Sequence, residues 1–256
     1  MGVLNVTPDS FSDGGRFSHL DAALAHAGKM VDEGVDIIDI GGESTRPGAG
    51  TVSDAEELDR VIPVIERLTA EFDSPVSVDT SKAIVMREAV NAGAGMINDV
   101  CALQADGALA VVAKLNVPVC LMHMQGAPRS MQSEPAYDDV TGEVLQFLLE
   151  RIAAATAAGI SGERLFMDPG FGFGKTLDHN LQLLRNLQEF TQTGHPVLVG
   201  VSRKSMIGQL TGRPVDQRLA GSLGAAMVAV QKGAAVLRVH DVGPTVDILN
   251  VWKRLA

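Results

Sequence analysis

The sequence predicts an α/β protein, a single-domain (β/α)8 TIM barrel, on three observations. Eight short apolar runs each end in a polar residue, and most neighbouring runs are separated by a segment of helical periodicity. This alternation is typical of a parallel α/β sheet. The length of 256 residues also suits one barrel, which takes about 250 residues. The runs end at Asn5, Asp39 with Glu43, Asp79, Asn98, His123, Asp168, Lys204, and Arg238 with His240.

Apolar residues at helical spacing predict the helices between these runs. The spacing predicts helices over 20–31, ending before Gly34; over 58–72, kinked by Pro63; and over 140–152, ending near Gly159. A further helix is predicted over 181–190, with Asp178 as its cap, and a closing helix with Pro244 in its first position. Segments 84–93 and 106–115 are shorter and give weaker helical signals.

Composition limits the classes of partner. The chain carries 21 Lys and Arg against 31 Asp and Glu, a net charge of -10, which disfavours nucleic acid and anionic membranes as partners. An anionic substrate must therefore be held by a local cluster of basic residues. No signal peptide or long apolar stretch is present, so we expect a cytoplasmic protein. Cys101 and Cys120 lack metal-ligand spacing and are interpreted as small buried hydrophobic residues.

The polar strand ends should meet on one rim, because the carboxyl ends of barrel strands form a single face. Three connections rich in Gly, Ser and Pro, at 7–17, 41–51 and 125–138, fall on that rim. Loops of this kind close over substrates in barrel enzymes, although each taken alone could be a surface turn.

Asp79, Asn98 and Asp168 offer hydrogen-bond acceptors and one amide donor pair at this rim. With a lysine they match a flat heterocycle that bears ring N–H, amine and carbonyl groups. The alternative is that each of them caps the helix that follows.

The glycine-rich segment 168–176 matches neither common nucleotide motif. A phosphate-binding P-loop would need glycine where Pro169 stands, and a dinucleotide fingerprint would need glycine at Lys175. The glycines are interpreted as allowing close approach to a flat ligand, with Phe171 or Phe173 as an apolar wall.

Basic residues on the rim predict an anion site. Arg238 and His240 alternate on one strand and lie before a Gly-Pro helix start; Arg46, Arg203 and Lys204 could join them. The alternative is a surface ion pair with Asp241 or Asp247. A hard cation such as Mg²⁺ would suit oxygen ligands such as Asn5. His123 could be a general base or a structural group, and no catalytic role is assigned to it.

Eight motifs in order resemble the bacterial dihydropteroate synthase family of pterin-binding enzymes. They are NVTPDSFSDGG (5–15), DIGGESTRPGA (39–49), SVDT (77–80), IND (97–99), LMHMQG (121–126), DPGFGFGK (168–175), SRKS (202–205) and RVHD (238–241). The resemblance spans the chain, and members generally have additional residues before the first strand. It implies one pterin-binding barrel domain over 1–256, lacking those additional residues.

The resemblance also implies a folate-pathway transferase. Such an enzyme condenses 6-hydroxymethyl-7,8-dihydropterin pyrophosphate with p-aminobenzoate, by an SN1-like path without a protein nucleophile or an essential general base. It implies Mg²⁺, a homodimer formed through outer helices, and sulfonamide binding at the aminobenzoate position. The implied pterin ligands are Asp79, Asn98, Asp168 and Lys204. The implied pyrophosphate and metal residues are Arg46, Arg238, His240 and Asn5. The implied loop and aminobenzoate residues are Phe11, Asp13, Thr45, Pro47, Phe173 and Ser205.

Three other functions remain possible on the sequence. A methyltetrahydrofolate:corrinoid methyltransferase shares the pterin-binding barrel but has no reason to carry STRPG or RVH. A non-catalytic paralogue should lose Asp13 or Arg46, and both are present. A sugar-phosphate barrel enzyme would account for the anion site but not for the Asp, Asn, Asp and Lys set.

Overall fold

The computed structural model describes residues 1–7, 16–44, 50–126, 131 and 135–256, and for residues 16–18 only the backbone. The described residues form eight strands. They are β1 Gly2–Asn5, β2 Ile38–Gly41, β3 Val76–Asp79, β4 Met96–Asp99, β5 Val119–Met122, β6 Leu165–Asp168, β7 Leu198–Val199 and β8 Val236–Leu237. Each of the predicted apolar runs therefore contains one strand.

The strands form a closed parallel barrel, as predicted. β1 to β6 pair in sequence order, and β7 pairs with β8. Parallel bridges complete the ring, one between Met167 and Val197 and one between Gly2 and Val239. The second seam is hydrogen-bonded in both directions, since Val3 N–H donates to the Val239 carbonyl and Val239 N–H to the Met1 carbonyl, each at 2.9 Å.

The described residues also form ten α-helices. They are α1 Arg16–Asp32, α2 Asp54–Glu71, α3 Ala83–Asn91, α4 Ala108–Val112, α5 Val140–Ala157, α6 Leu177–Arg185, α7 Leu187–Thr191, α8 Ser205–Thr211, α9 Leu219–Gln231 and α10 Val242–Leu255. α3 and α4 confirm the two weak helical signals. None of the described helices is long and apolar enough to cross a membrane.

Three predicted helix boundaries were wrong. α6 is capped by Thr176, not Asp178, because the Thr176 side chain accepts the His179 N–H while the His179 ring accepts the Thr176 N–H. The stripe over 181–190 is divided at Asn186 into α6 and α7. α10 begins at Val242, so Pro244 lies within its first turn and is not its first residue.

Two apolar clusters lie on opposite sides of the strands. The larger fills the space between strands and helices and includes Ile97, Val119 and Leu121. The smaller contains Met1, Met96, Cys120 and Leu198, with Ile37, Phe166 and Val236 packed against it. Because successive strand residues face opposite sides, the smaller cluster faces the barrel interior. It forms the floor beneath the candidate site.

Candidate active site

The site lies above this floor, two residues further along the same strands. From Ile37, Met96, Phe166 and Val236, a step of two residues on the interior side reaches Asp39, Asn98, Asp168 and Arg238. Three predicted residues, Asn98, Asp168 and Arg238, thus belong together with Asp39 to interior rows that are apolar below and polar at the mouth. Strand pairing also aligns Asn5 with Gly41, Gly41 with Asp79, and Asp79 with Asn98.

Gly41 keeps the space between two of these polar side chains open. A Cβ atom at this position would lie 3.4 Å from Asn5 Oδ1 and 3.9 Å from Asp79 Oδ2. Asn5 and Asp79 therefore flank a gap in the ring of side chains, with their oxygens directed towards it.

Arg238 joins the polar side chains of three strands. Its Nε donates to Asp39 Oδ2 at 2.6 Å, and its Nη2 donates to Asp79 Oδ2 at 2.8 Å. Asn98 Nδ2 donates to the same Asp39 oxygen at 3.2 Å. These two ionic contacts use two of the five guanidinium N–H groups, so Arg238 retains donors for a ligand.

Asp39 is a site residue that the sequence analysis did not assign to the site. Its side chain is fully buried, and its Oδ1 has no hydrogen-bond partner among the described residues. An acid in the second position of a buried strand, as in IDIG, was the available signal, because buried carboxylates are rare unless they are paired.

Asp168 and Lys204 form the opposite part of the site. Asp168 is buried, and its Oδ1 accepts the Gly170 N–H at 2.7 Å. Burial raises the pKa of Asp168, and the nearby Lys204 ammonium opposes that rise. Lys204 Nζ donates to the Phe171 carbonyl and lies 4.6 Å from the centre of the Phe173 ring.

Burial favours the uncharged forms of the acidic and basic side chains in this site. It raises the pKa of Asp79 to about 7, although the Arg238 guanidinium and its positive charge act in the opposite direction. It lowers the pKa of Lys204 to about 8, against the attraction of Asp168. The site therefore contains one acid and one base that change charge within about one pH unit of each other.

His123 lies beside the site in a structural environment. It is buried, its Nδ1 lies 2.9 Å from Lys175 Nζ, and its ring packs edge-on against Phe147. Burial and the Lys175 ammonium lower the pKa of His123 to about 3. The ring is therefore neutral at ordinary pH, which favours the structural alternative over the general base.

The remaining described candidates lie at the rim. His240 is exposed, and its Nδ1 lies 3.3 Å from Ser202 Oγ. Ser205 is exposed at the first position of α8. Arg203 forms an ion pair with Asp241 instead of facing the site. Five predicted residues lie outside the described part of the chain: Phe11, Asp13, Thr45, Arg46 and Pro47.

A resident metal centre built from side chains is absent from the described residues, which contain no group of three or more His, Cys, Asp and Glu able to hold an ion. The Asn5 amide oxygen, beside the open gap at Gly41, could act as a single protein ligand to a metal ion. Mg²⁺ commonly keeps several waters and binds through one or two protein oxygens plus substrate phosphates. The residues present therefore fit a magnesium ion that arrives with a phosphate-bearing ligand.

Comparisons with known proteins agree with this geometry. The family model described as pterin binding enzyme matches residues 1–240. The dihydropteroate synthase of Haemophilus influenzae is 58% identical over 256 residues, covering 100% of this chain and 93% of that protein. The Xanthomonas albilineans dihydropteroate synthase with 4-aminobenzoic acid has a TM-score of 0.95 at 58% identity, covering 100% of this chain and 92% of that one. The same enzyme in complex with 7,8-dihydropteroate has a TM-score of 0.91 at 55% identity, with the same coverage.

Proposed function

Because the chain belongs to the dihydropteroate synthase family of pterin-binding enzymes, we propose that it condenses 6-hydroxymethyl-7,8-dihydropterin pyrophosphate with p-aminobenzoate. The products are 7,8-dihydropteroate and pyrophosphate. The observation that carries this proposal is the convergence of Asp79, Asn98 and Arg238 in one barrel mouth, with Asp168 and Lys204 close enough to interact electrostatically. A solved relative of 55% identity is a complex with 7,8-dihydropteroate.

The deep polar residues bind the pterin ring. Asp79 and Asp168 accept hydrogen bonds from its N–H groups, Asn98 can donate and accept, and Lys204 donates to its carbonyl or ring nitrogen. Asn98 and Arg238 hydrogen-bond to Asp39, and Arg238 also hydrogen-bonds to Asp79, so these side chains are already oriented before the ligand arrives.

The leaving group lies above the ring. Arg238 and His240 are the described donors to pyrophosphate, and Arg46 and Asp13 would act from the two rim loops. Asn5 would help to hold Mg²⁺, which would supply positive charge to offset the charge of the leaving group. Carbon–oxygen cleavage leaves positive charge on the dihydropterin, and the carboxylates of Asp79 and Asp168 stabilise that charge without forming a bond to it.

The second substrate attacks from the rim side. Phe173 supplies an apolar surface for the aminobenzoate ring, and Ser205 and Pro47 border its other end, where sulfonamides would compete. The aromatic amine is a weak base, so it needs little deprotonation before attack, and no side chain need act as a general base. Thr45 and Phe11 complete the loop residues assigned to substrate.

The test is direct assay of the purified protein with both substrates and Mg²⁺, measuring pyrophosphate and pteroate together. We expect both products, and we expect D168A to lose at least about 100-fold in kcat/KM because it removes a buried, preoriented carboxylate. D247A, an exposed aspartate on α10, is the matched control and should retain activity.

Each other outcome identifies a different function. Pyrophosphate without pteroate would support ionisation before attack. Pterin binding without either product would favour a non-catalytic pterin-binding protein. If the wild-type chain did not bind pterin at all, the proposed function would be overturned. A barrel enzyme that acts on sugar phosphates would then be the favoured alternative.

We also propose a homodimer, supported by exposed apolar side chains in the segment from α8 to α9. The exposed fractions of Leu210 and Val215 are 53% and 56%, and Leu219 and Val228 on α9 are also exposed. Exposed apolar side chains are candidates for protein–protein contacts. A contact through α8 and α9 would use outer helices of the barrel.

A further inference from the structure

Lys175 is a buried lysine for which the proposed chemistry has no use. The exposed fraction of Lys175 is 3%. Its Nζ lies 2.9 Å from His123 Nδ1, 3.0 Å from the Phe173 carbonyl oxygen and 3.4 Å from the His123 carbonyl oxygen. These partners are all uncharged, since His123 is neutral. Burial lowers the pKa of Lys175 to about 7, against the attraction of Asp168.

Such a lysine is costly to the folded state. Transfer of an ammonium group out of water is strongly unfavourable unless hydrogen bonds compensate, and a methionine of similar volume would avoid that cost. A neutral lysine near pH 7 still has N–H donors, so the group keeps its hydrogen bonds in either protonation state. The amine therefore serves as a hydrogen-bond donor fixed in position.

The group that Lys175 holds is the turn over 170–174, whose backbone is held largely by side chains. Gly170, Gly172 and Gly174 adopt φ of +70°, +79° and +62°. A Cβ at Gly170 would lie 1.8 Å from the His123 carbonyl oxygen, so the turn packs against the end of β5 without space for a side chain. No strand pairing orients the carbonyl groups of this turn, because β6 ends at Asp168.

Three side chains instead bind three carbonyl groups of the turn. Lys204 donates to the carbonyl of Phe171, Lys175 to that of Phe173, and the Tyr137 hydroxyl to that of Gly174 at 2.9 Å. The Phe173 ring, half-buried, lies beneath the Lys204 ammonium. The position of this ring therefore depends on two lysines, one at its backbone and one at its face.

We propose that Lys175 is a positioning residue for the second substrate: by holding the Phe173 carbonyl against the end of β5, it fixes the aromatic surface on which aminobenzoate packs. This inference rests on the proposed function, because it uses Phe173 as the border of the aminobenzoate position. Lys175 is buried and its hydrogen bonds are to His123 and Phe173, so its proposed effect on aminobenzoate passes through the position of Phe173. Lys204 instead is proposed to bind the pterin itself.

Steady-state kinetics of K175M and K175Q test the proposal. Methionine keeps the volume and removes the donor, so KM for p-aminobenzoate should rise about tenfold, the effect of one lost buried hydrogen bond. Above pH 7, where Lys175 is mostly uncharged, K175M removes little charge from the surroundings of Asp168 and retains the ring ligands, so the dissociation constant for dihydropterin pyrophosphate should change by less than about threefold. Glutamine retains an N–H donor and should recover part of the aminobenzoate KM.

Y137F is the matched control, since it removes a hydrogen bond to the neighbouring carbonyl of the same turn. It should lower thermal stability while changing the aminobenzoate KM much less than K175M. Suppose that K175M weakens pterin binding as strongly as it raises the aminobenzoate KM, that it also lowers the melting temperature, and that K175Q recovers none of these changes. Lys175 would then only stabilise the fold. An unchanged aminobenzoate KM in K175M would overturn the inference even if the wild-type enzyme is active. Inactivity of the wild type would instead overturn the proposed function.

Discussion

Arg238 occupies a position where one cation contacts two carboxylates from different strands. Asp39 and Asp79 both bind it, and both are more than four-fifths buried in their side chains. Removing the guanidinium would leave two buried negative charges close together, a far larger penalty than the loss of one surface ion pair. The same arrangement orients Asp79, so the residue proposed to bind pyrophosphate also orients the residue proposed to bind pterin.

The pH dependence of kcat/KM should be bell-shaped, with limits set by Asp79 and Lys204. As pH falls through about 7, Asp79 gains a proton and loses its negative charge, so it becomes a weaker acceptor for the proposed pterin ligand and can no longer stabilise positive charge on it. As pH rises through about 8, Lys204 loses its proton and its charge. A pH profile of kcat/KM for dihydropterin pyrophosphate checks both limits.

K204R separates the two limits of this profile. Arginine stays protonated, so the variant should keep the acid limit, lose the alkaline limit and show a lower maximum. An unchanged alkaline limit in K204R would assign that limit to another group.

Sequence reasoning was most successful for polar residues at strand ends. Asp79, Asn98 and Asp168 end or nearly end their strands on the interior side, so the strand pattern alone places them at the mouth. Asp39 and Lys175 were missed as contributors because their importance lies in contacts that sequence spacing does not encode. Asp39 contacts Arg238 from the other end of the chain, and Lys175 contacts its neighbour's backbone.

At the level of elements, Lys82 connects the β2–α2 unit to the start of α3. Its Nζ lies 2.8 Å from Glu43 Oε2, 2.6 Å from Glu57 Oε2 and 2.6 Å from the Val52 carbonyl oxygen. Val52 N–H also donates to Glu43 Oε1 at 3.3 Å. One ammonium thus joins residues on both sides of the segment over 44–51, as well as the first turn of α2.

K82M should lower the free energy of unfolding by about 3 kcal/mol, because it leaves the carboxylate of Glu57 buried without its cation. The exposed fraction of the Glu57 side chain is 1%, against 22% for Lys82. Hydrogen bonds and the charges of Glu43 and Glu57 outweigh desolvation and raise the pKa of Lys82, so this stabilisation is complete at neutral pH. It is lost only as pH rises above the ordinary lysine value of about 10.4.

Urea unfolding at neutral pH measures this change. The double variant E57Q/K82M removes the buried charge as well as its partner and should recover part of the lost stability. If the double variant is no more stable than K82M, the cost does not come from the buried carboxylate.

Helix boundaries show the limit of prediction at this scale. Asp178 and Thr176 are both good capping residues, and only the observed hydrogen bonds of Thr176 and His179 distinguish them. The division at Asn186 interrupts a continuous apolar stripe, and Asn186 Nδ2 there donates to Thr141 Oγ1 of α5. Tertiary contacts of this kind override a local periodicity that is otherwise correct.

For the whole molecule, the sequence was sufficient to predict the barrel but not its assembly. Regular alternation of strands and helices indicates a parallel α/β sheet, and eight such units in 256 residues favour a closed barrel over an open sheet. An exterior contact between two chains has no comparable periodic signal, since it depends on a few exposed apolar residues whose neighbours are known only after folding.

Light scattering coupled to size-exclusion chromatography should give the mass of a dimer, twice the 26.9 kDa of the chain. The double variant L210K/V228K places charges on the proposed contact and should shift the protein towards the monomer mass. L149K, on α5, changes an exposed leucine elsewhere and should leave the dimer intact. A wild-type protein with the mass of one chain, or a dimer that survives L210K/V228K, would contradict this assignment of the contact.

The seam between β1 and the segment after β8 has a consequence for biosynthesis. β1 pairs with β2 on one side, but its partner on the other side follows β8, so Val3 cannot pair with Val239 until all eight strands have been synthesised. Until then, a nascent sheet would expose the unpaired edge of its first strand, a surface prone to aggregation. Synthesis rate and chaperone supply should therefore govern the yield of active enzyme more strongly than the stability of the finished barrel does.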